Sequence, residues 1–314
     1  MLLDIVLIVV GITLVLFGAD KLTEGASALA RRMKVPEIII GLTIVAAGTS
    51  APELFVSLVS ALNGTPDMAV GNVVGSNTMN AMLIVGCAAM VAPMTISRST
   101  VRKDIPFSVA ASVLLMLLAL NGFLGRVDGI VLLLGFAVFM AYTLSSATKP
   151  TNPTATTEPT APTTPTSPTK SLAYIVFGLA ALVLGSNLFV DSASNVAASL
   201  GISEGVIGLT VVAGGTSLPE LATSVVAARK GQSAIAIGNV IGSNVFNILL
   251  ILGLTATISP LQIEGITTID MAVMLLSVSL VWLFSFTKFT VERWEGAVLV
   301  VGYLVYLWWL ITSL

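Results

Sequence analysis

Two short blocks of sequence, each present twice, carry the residues with the clearest chemical potential. The first reads GTSAPE at 48–53 and GTSLPE at 215–220, and the second reads GNVVGSNTMN at 71–80 and GNVIGSNVFN at 238–247. In both blocks the copies are 167 positions apart, which indicates an internal duplication. Carboxylate, hydroxyl, amide and carbonyl oxygens are the ligands of hard cations such as Ca²⁺. The blocks therefore predict one cation site to which both halves contribute.

The first block places a glutamate after a proline within an apolar stretch. Glu53 and Glu220 would be costly at membrane depth, which makes them functional candidates. The prolines predict freed backbone carbonyls near 46–48 and 213–215, and irregular backbone at this depth is tolerated where it lines a cavity. Thr49 lies four residues before Glu53, so a continuous helix would place both on one face. A kinked packing helix is the alternative, and the recurrence at one offset disfavours it.

The second block supplies neutral oxygen atoms. Ser76 and Asn80 are four residues apart, as are Ser243 and Asn247, so each pair shares a helix face. The glycines also form G-x-x-x-G motifs typical of close helix packing, but packing does not require the polar residues. We expect these residues beside the glutamates. Two further candidates in the block are Asn72 and Asn239.

The composition is that of an integral membrane protein. Of 314 residues, 56% are hydrophobic and 10% charged, and the mean hydropathy is +1.01, whereas about one quarter of a soluble protein is charged. A net charge of −2 without a basic block argues against nucleic acid as a partner. The chain has no histidine, and therefore lacks the commonest metal ligand and general base. Its single cysteine, Cys87, excludes an internal disulfide. No cofactor and no required protein partner is expected.

The hydropathy pattern predicts ten membrane-spanning helices of about 20 residues or more. They lie near 2–30, 36–62, 67–92, 103–121, 127–147, 171–199, 203–229, 233–259, 268–287 and 293–313. The first lacks the positive region of a signal peptide, so we interpret it as a retained span. We expect five spans in a first repeat at 1–148 and five in a second at 171–314. The Thr/Pro-rich linker at 149–170 is too rich in proline to form a packed core.

Basic residues indicate the orientation of the chain. The loops after spans 1, 3 and 7, the loop between spans 9 and 10, and the linker hold nearly all of them, whereas the opposite side has only Arg126. The positive-inside rule then places the linker in the cytoplasm and both termini outside the cell membrane. Because each repeat has an odd number of spans, the second must be inverted. Inverted repeats with broken helices at a midplane site are typical of secondary transporters. The predicted fold class is thus an all-α integral membrane protein.

Other charged or polar residues lie nearer the span ends. Span 1 carries Asp20, Lys21 and Glu24, and span 6 carries Asn187 and Asp191. Glu24 and Asp191 occupy equivalent positions in the two repeats. We expect an interfacial location for them, because charged groups near helix ends can reach water.

The duplicated blocks resemble the α-repeats of the sodium/calcium exchangers of the cation/Ca²⁺ exchanger superfamily, in particular its prokaryotic and archaeal members. The resemblance covers nearly the whole chain. It implies that spans 1 and 6 slide past the other eight, and that Na⁺ and Ca²⁺ are substrates. The side chains it implies as ligands are Thr49, Ser50, Glu53, Ser76, Asn80, Thr216, Ser217, Glu220, Ser243 and Asn247. It also implies the backbone carbonyls of Ala46 and Ala213 as Na⁺ ligands.

Two departures from the family pattern affect the interpretation. Some relatives carry Asp where this chain has Asn247, so the site here has only two carboxylates, which weakens a K⁺-dependent interpretation. Animal members place large Ca²⁺-sensing domains between the halves, and the linker has no room for one. Regulation by such a domain is not expected.

The leading hypothesis is a Na⁺/Ca²⁺ antiporter rather than an enzyme. The resemblance implies electrogenic exchange with about three Na⁺ per Ca²⁺ by alternating access. An H⁺/Ca²⁺ or other cation antiporter is the alternative, because the same carboxylates could support it. An inverted repeat within one chain disfavours a cation channel. An intramembrane hydrolase acting through Ser50 or Ser217 is disfavoured because no base is evident.

Overall fold

The computed structural model describes residues 2–147, 168–201 and 213–313, and most of them are helical. Eight helices in these ranges are long and apolar enough to cross a membrane, and one bent pair makes a ninth candidate. The helices are α1 (Leu2–Met33), α2 (Glu37–Thr49), α3 (Ala51–Leu62), α4 (Pro66–Val91), α5 (Thr100–Asn121), α6 (Arg126–Ala147), α7 (Pro168–Ser199), α8 (Ala213–Thr216), α9 (Leu218–Arg229), α10 (Ser233–Ile258), α11 (Thr268–Phe286) and α12 (Arg293–Ser313). The chain is a multi-pass helical membrane protein.

Two short strand pairs are the exception to the predicted all-α class. Strand β1 (Met94–Thr95) pairs antiparallel with β4 (Thr290–Val291). Strand β2 (Phe123–Leu124) pairs antiparallel with β3 (Leu261–Gln262). Each pair joins a loop of the first half to a loop of the second.

Nine of the ten predicted spans overlap these candidates. The tenth, at 203–229, lies partly outside the described residues, and its described part contains α8 and α9. The predicted linker at 149–170 also lies mostly outside them. The linker is predicted to end at residue 170, whereas α7 already begins at Pro168. Proline is well tolerated in the first turn of a helix, where its missing N–H would have no partner.

Helices α1 and α7 pack against each other in antiparallel orientation. A Cβ atom added at Gly11 would lie 2.7 Å from the carbonyl oxygen of Gly185, and one added at Gly18 would lie 2.7 Å from that of Gly178. Successive contacts thus lie closer to the C-terminus of α1 and closer to the N-terminus of α7. Small residues allow such close backbone approach between membrane helices.

Helices α4 and α10, which carry the second block, are the most enclosed candidate spans. The buried share of the most apolar window is 78% for α4 and 94% for α10, against at most 39% for the other long candidate spans among the described residues. Each has a π-helical segment at the end of the block, Asn80–Ile84 in α4 and Phe246–Leu252 in α10. Such π-helical insertions are frequent at functional sites.

Candidate cation site

Both copies of the first block form a break between two helices. Ser50, with φ −81° and ψ 6°, separates α2 from α3, which are bent by 45°. Ser217, with φ −90° and ψ 5°, separates α8 from α9 in the same way. The breaks place Glu53 and Glu220 in the first turns of α3 and α9. A helix N-terminus favours a negative charge, which partly offsets the cost of burying each carboxylate.

Each glutamate accepts a hydrogen bond from the serine in the other copy of the first block. The Ser217 hydroxyl donates to Oε1 of Glu53 over 3.3 Å, and the Ser50 hydroxyl donates to Oε1 of Glu220 over 3.3 Å. Glu53 is 1% exposed and Glu220 is 0% exposed. Their Oε2 atoms are buried and accept no hydrogen bond from any described residue. A buried anionic oxygen without a partner is costly, so this arrangement favours a bound cation or proton.

Thr49 faces the second half of the chain. Its hydroxyl donates to Oδ1 of Asn239 over 3.0 Å and lies 3.5 Å from Oγ of Ser243. Both side chains also lie near the carboxylate of Glu220. The helix is interrupted between Thr49 and Glu53, because one helix ends at Thr49 and the next begins at Ala51, and their shared face stays a prediction.

The remaining predicted hydroxyls belong to the same pattern. Thr216 lies near the carboxylate of Glu53, which repeats in the second half the relation between Thr49 and Glu220. Ser76 is 5% exposed on α4, at the position equivalent to Ser243. Five predicted hydroxyl residues thus lie at or next to the paired breaks, namely Thr49, Ser50, Thr216, Ser217 and Ser243.

Asn72 and Asn239 hold the backbone beside each glutamate. The Asn72 amide donates to the carbonyl oxygen of Glu53 over 3.2 Å and to the hydroxyl of Ser57 over 3.0 Å. Asn239 makes the equivalent bonds in the second half at 3.3 Å and 3.0 Å, the hydroxyl partner being Ser224. The sequence interpretation missed the two serines. Their separation of 167 positions was the available signal.

Asn80 and Asn247 each direct their amide nitrogen at an asparagine of the other half. Nδ2 of Asn80 donates to Oδ1 of Asn244 over 3.1 Å, and Nδ2 of Asn247 donates to Oδ1 of Asn77 over 3.0 Å. Oδ1 of Asn80 and Oδ1 of Asn247 are buried and accept no hydrogen bond from the described part of the chain. Buried polar atoms normally have a partner. Two amide and two carboxylate oxygens therefore remain available to a cation.

The predicted carbonyl ligands differ from expectation in one respect. The carbonyl oxygen of Ala46 accepts the N–H of Ser50 at 2.9 Å and the hydroxyl of Thr49 at 3.3 Å. It is therefore not freed by Pro52, although a carbonyl oxygen has a second lone pair for a cation. Ala213 is the first residue of α8. No group of three or more Asp, Glu, His or Cys that could hold a metal occurs among the described residues, so the negative charge of the site rests on two glutamates.

A cleft of about 360 Å³ reaches the site from one side. It lies between α3, α7 and α8, and its lining includes Pro52, Asn187, Asp191 and Thr216. Asn187 and Asp191 are exposed, and they line this cleft together with Thr216, a candidate ligand. Their interfacial location stays a prediction.

Comparisons with known proteins show what the chain as a whole resembles. The family described as sodium/calcium exchanger protein matches residues 3–145 and 170–312. Inner membrane protein YrbG of Escherichia coli is 38% identical over 98% of this chain and 96% of its own length. Sodium/calcium exchanger MaX1 of Methanosarcina acetivorans is 36% identical over 97% of both chains. The sodium-calcium exchanger NCX_Mj, in crystals soaked with Na⁺ and Ca²⁺, superposes with a TM-score of 0.85 at 31% identity over 97% of both chains.

Proposed function

Because this chain belongs to the sodium/calcium exchanger protein family, we propose that it exchanges Na⁺ for Ca²⁺ across the cell membrane by alternating access. The observation that carries the proposal is the set of buried oxygens without donors among the described residues, on Glu53, Glu220, Asn80 and Asn247. The family consists of exchangers rather than enzymes, and the ions are substrates rather than cofactors.

The ligand assignment follows from the chemistry of dehydration. A divalent ion that leaves water needs anionic oxygen to offset its lost hydration, and Glu53 and Glu220 supply it from opposite halves. Hydroxyl and amide oxygens complete the shell and also suit Na⁺. The proposed ligands are Ala46, Thr49, Ser50, Glu53, Ser76, Asn80, Ala213, Thr216, Ser217, Glu220, Ser243 and Asn247.

The proposed architecture has ten spans in two inverted repeats, 1–148 and 171–314, joined by a cytoplasmic linker. Helices α1 and α7 open the two repeats and run antiparallel, as inversion requires. The mirrored contacts of Ser50 with Glu220 and of Ser217 with Glu53 support the same symmetry. The loops rich in Lys and Arg are expected on the cytoplasmic side of the membrane. The cleft lined by Asn187 then opens to the outer side.

We propose electrogenic exchange with about three Na⁺ per Ca²⁺, the stoichiometry that the family resemblance implies. Two ionised glutamates give the empty site a charge of −2, which one Ca²⁺ neutralises and three Na⁺ turn to +1. Only the Na⁺-loaded form then carries net charge through the membrane field, at about 2.3 kcal/mol per 100 mV. A potential clamped across proteoliposomes tests this: an inside-negative potential should accelerate Na⁺ entry and Ca²⁺ exit. A flux unaffected by voltage would favour two Na⁺ or two H⁺ per Ca²⁺.

The experiment that tests the function compares two driving gradients on one preparation. Purified protein in liposomes loaded with Na⁺ should accumulate radiolabelled Ca²⁺ when the outside is Na⁺-free. Liposomes with an outward proton gradient and no Na⁺ should not. Uptake driven equally well by the proton gradient would replace Na⁺ with H⁺ as the coupling ion.

A further inference from the structure

We propose that Asn77 and Asn244 are positioning residues, which orient the amides of Asn247 and Asn80 so that only their carbonyl oxygens face the transported cation. This inference rests on the proposed function and concerns how that site selects a cation. Asn77 is 1% exposed and Asn244 is 2% exposed. They are equivalent residues of the two halves, 167 positions apart.

The two ends of each positioning amide have separate partners. Nδ2 of Asn77 donates to the backbone carbonyl of Asn244 over 3.1 Å, and Nδ2 of Asn244 donates to that of Asn77 over 3.5 Å. These bonds tie α4 to α10. The Oδ1 atoms accept instead from the side chains of Asn247 and Asn80, at 3.0 Å and 3.1 Å. The donor end therefore joins the helices, and the acceptor end holds the ligand.

Orientation matters because the two ends of an asparagine amide are nearly alike in shape but opposite in polarity. A flipped Asn247 would present its NH₂ group to the ion and repel it. Asn77 prevents the flip, because its Oδ1 accepts a hydrogen bond and its own NH₂ is already committed to a backbone carbonyl. Asn247 lies one helical turn after Ser243 and on the same face. Since Ser243 contacts Thr49, that face points to the glutamates.

The arrangement also couples residue types at two positions. Because Oδ1 of Asn77 is a hydrogen-bond acceptor, its partner side chain at position 247 must supply a donor. An aspartate at 247 would bring two acceptors together, unless Asn77 turned and gave up its bond to Asn244. The same reasoning applies to Asn244 and Asn80. The neutral asparagines and their positioning partners thus form one unit.

The test separates the two ends of the Asn77 amide. Asn77→Leu removes both ends, whereas Asn77→Asp keeps an acceptor and loses the donor. Both variants should melt earlier than the wild type. In Na⁺-driven Ca²⁺ uptake, Asn77→Leu should raise the half-saturating Ca²⁺ concentration about tenfold, and Asn77→Asp should keep it within about threefold of the wild type. Thr78→Val is the matched control, because Thr78 is buried on the same helix and, among the described residues, its hydroxyl bonds only the backbone carbonyl of Val74 in that helix.

Two results would overturn the proposal. One is wild-type Ca²⁺ half-saturation in a folded Asn77→Leu protein. The other is an equal loss in the Leu and Asp variants, which would assign the effect to the helix tie. If Asn77→Leu does not fold, Asn244→Leu and Asn244→Asp make the same comparison for Asn80. Failure of the wild type itself to exchange Na⁺ for Ca²⁺ would contradict the proposed function, which distinguishes the two claims.

Discussion

Ser217 donates a hydrogen bond to Glu53 over 3.3 Å, although the two residues are 164 positions apart. The mirrored bond from Ser50 to Glu220 has the same length. Each carboxylate is thus supported by a hydroxyl from the other half of the chain. The two copies of the first block therefore meet at the boundary between the halves, where we propose one shared cation site.

Removing one of these hydroxyls should weaken Ca²⁺ binding without unfolding the protein. Ser217→Ala leaves Oε1 of Glu53 without its donor and removes one candidate ligand. A net loss of about 1–2 kcal/mol is expected, measured as a rise in half-saturating Ca²⁺. Ser112→Ala is the control, because Ser112 is also buried but, within the described part of the chain, its hydroxyl bonds only the carbonyl of Ser108 in its own helix. Equal behaviour of the two variants would contradict the assignment.

Acid should inhibit exchange by competition. Glu53 and Glu220 bind a cation only when they are ionised, so a proton must leave before the ion binds. As the pH falls from about 8 to about 5, the half-saturating Ca²⁺ concentration should rise, and saturating Ca²⁺ should restore the maximal rate. The sign follows because protonation removes the charge that binds the ion. Ca²⁺ uptake with a flat pH profile would count against paired glutamates.

Accessibility of the cleft tests the proposed orientation. In a Cys87→Ser background, Asn187→Cys should react with a membrane-impermeant thiol reagent added outside, and the reaction should slow exchange. Lys230→Cys is the control at the other end of the molecule, where Lys230 pairs with Asp20 at 2.6 Å, and it should react only from the cytoplasmic side. Labelling of Asn187→Cys from the cytoplasm alone would reverse the proposed orientation.

The close contact between α1 and α7 predicts a stability effect. A methyl group at Gly18 would lie 2.7 Å from the carbonyl oxygen of Gly178, so the helices must separate. Gly18→Ala should lower the free energy of unfolding by about 1–3 kcal/mol. Gly135→Ala is the matched control, since the nearest atom to its added methyl is a side-chain carbon of Leu249 at 3.4 Å, an ordinary contact, and alanine is the better helix former. Thermal unfolding in detergent measures both, and an unchanged Gly18→Ala would refute the contact.

Much of this site could be predicted from the sequence, because duplication marks residues that serve one purpose twice. Glu53 and Glu220 stand out as charges in apolar runs, and the long helices follow from hydropathy alone. The partners of each group could not be predicted. Regular helix spacing predicts that Thr49 and Glu53 share one face. The structure has a break between them at Ser50, and Thr49 bonds Asn239 of the other half and lies near Glu220. Contacts across the halves depend on how the helices pack, and local spacing does not contain that information.

Ca²⁺ binding to the purified protein tests the shared site most directly. Equilibrium dialysis should find one Ca²⁺ per wild-type chain, displaced by Na⁺. Glu53→Gln and Glu220→Gln each remove one of the two charges that offset Ca²⁺ dehydration. Each variant alone should therefore abolish binding at Ca²⁺ concentrations that saturate the wild type, while both proteins remain folded. Retention of one Ca²⁺ at wild-type affinity by either variant would show that the two halves do not share a site.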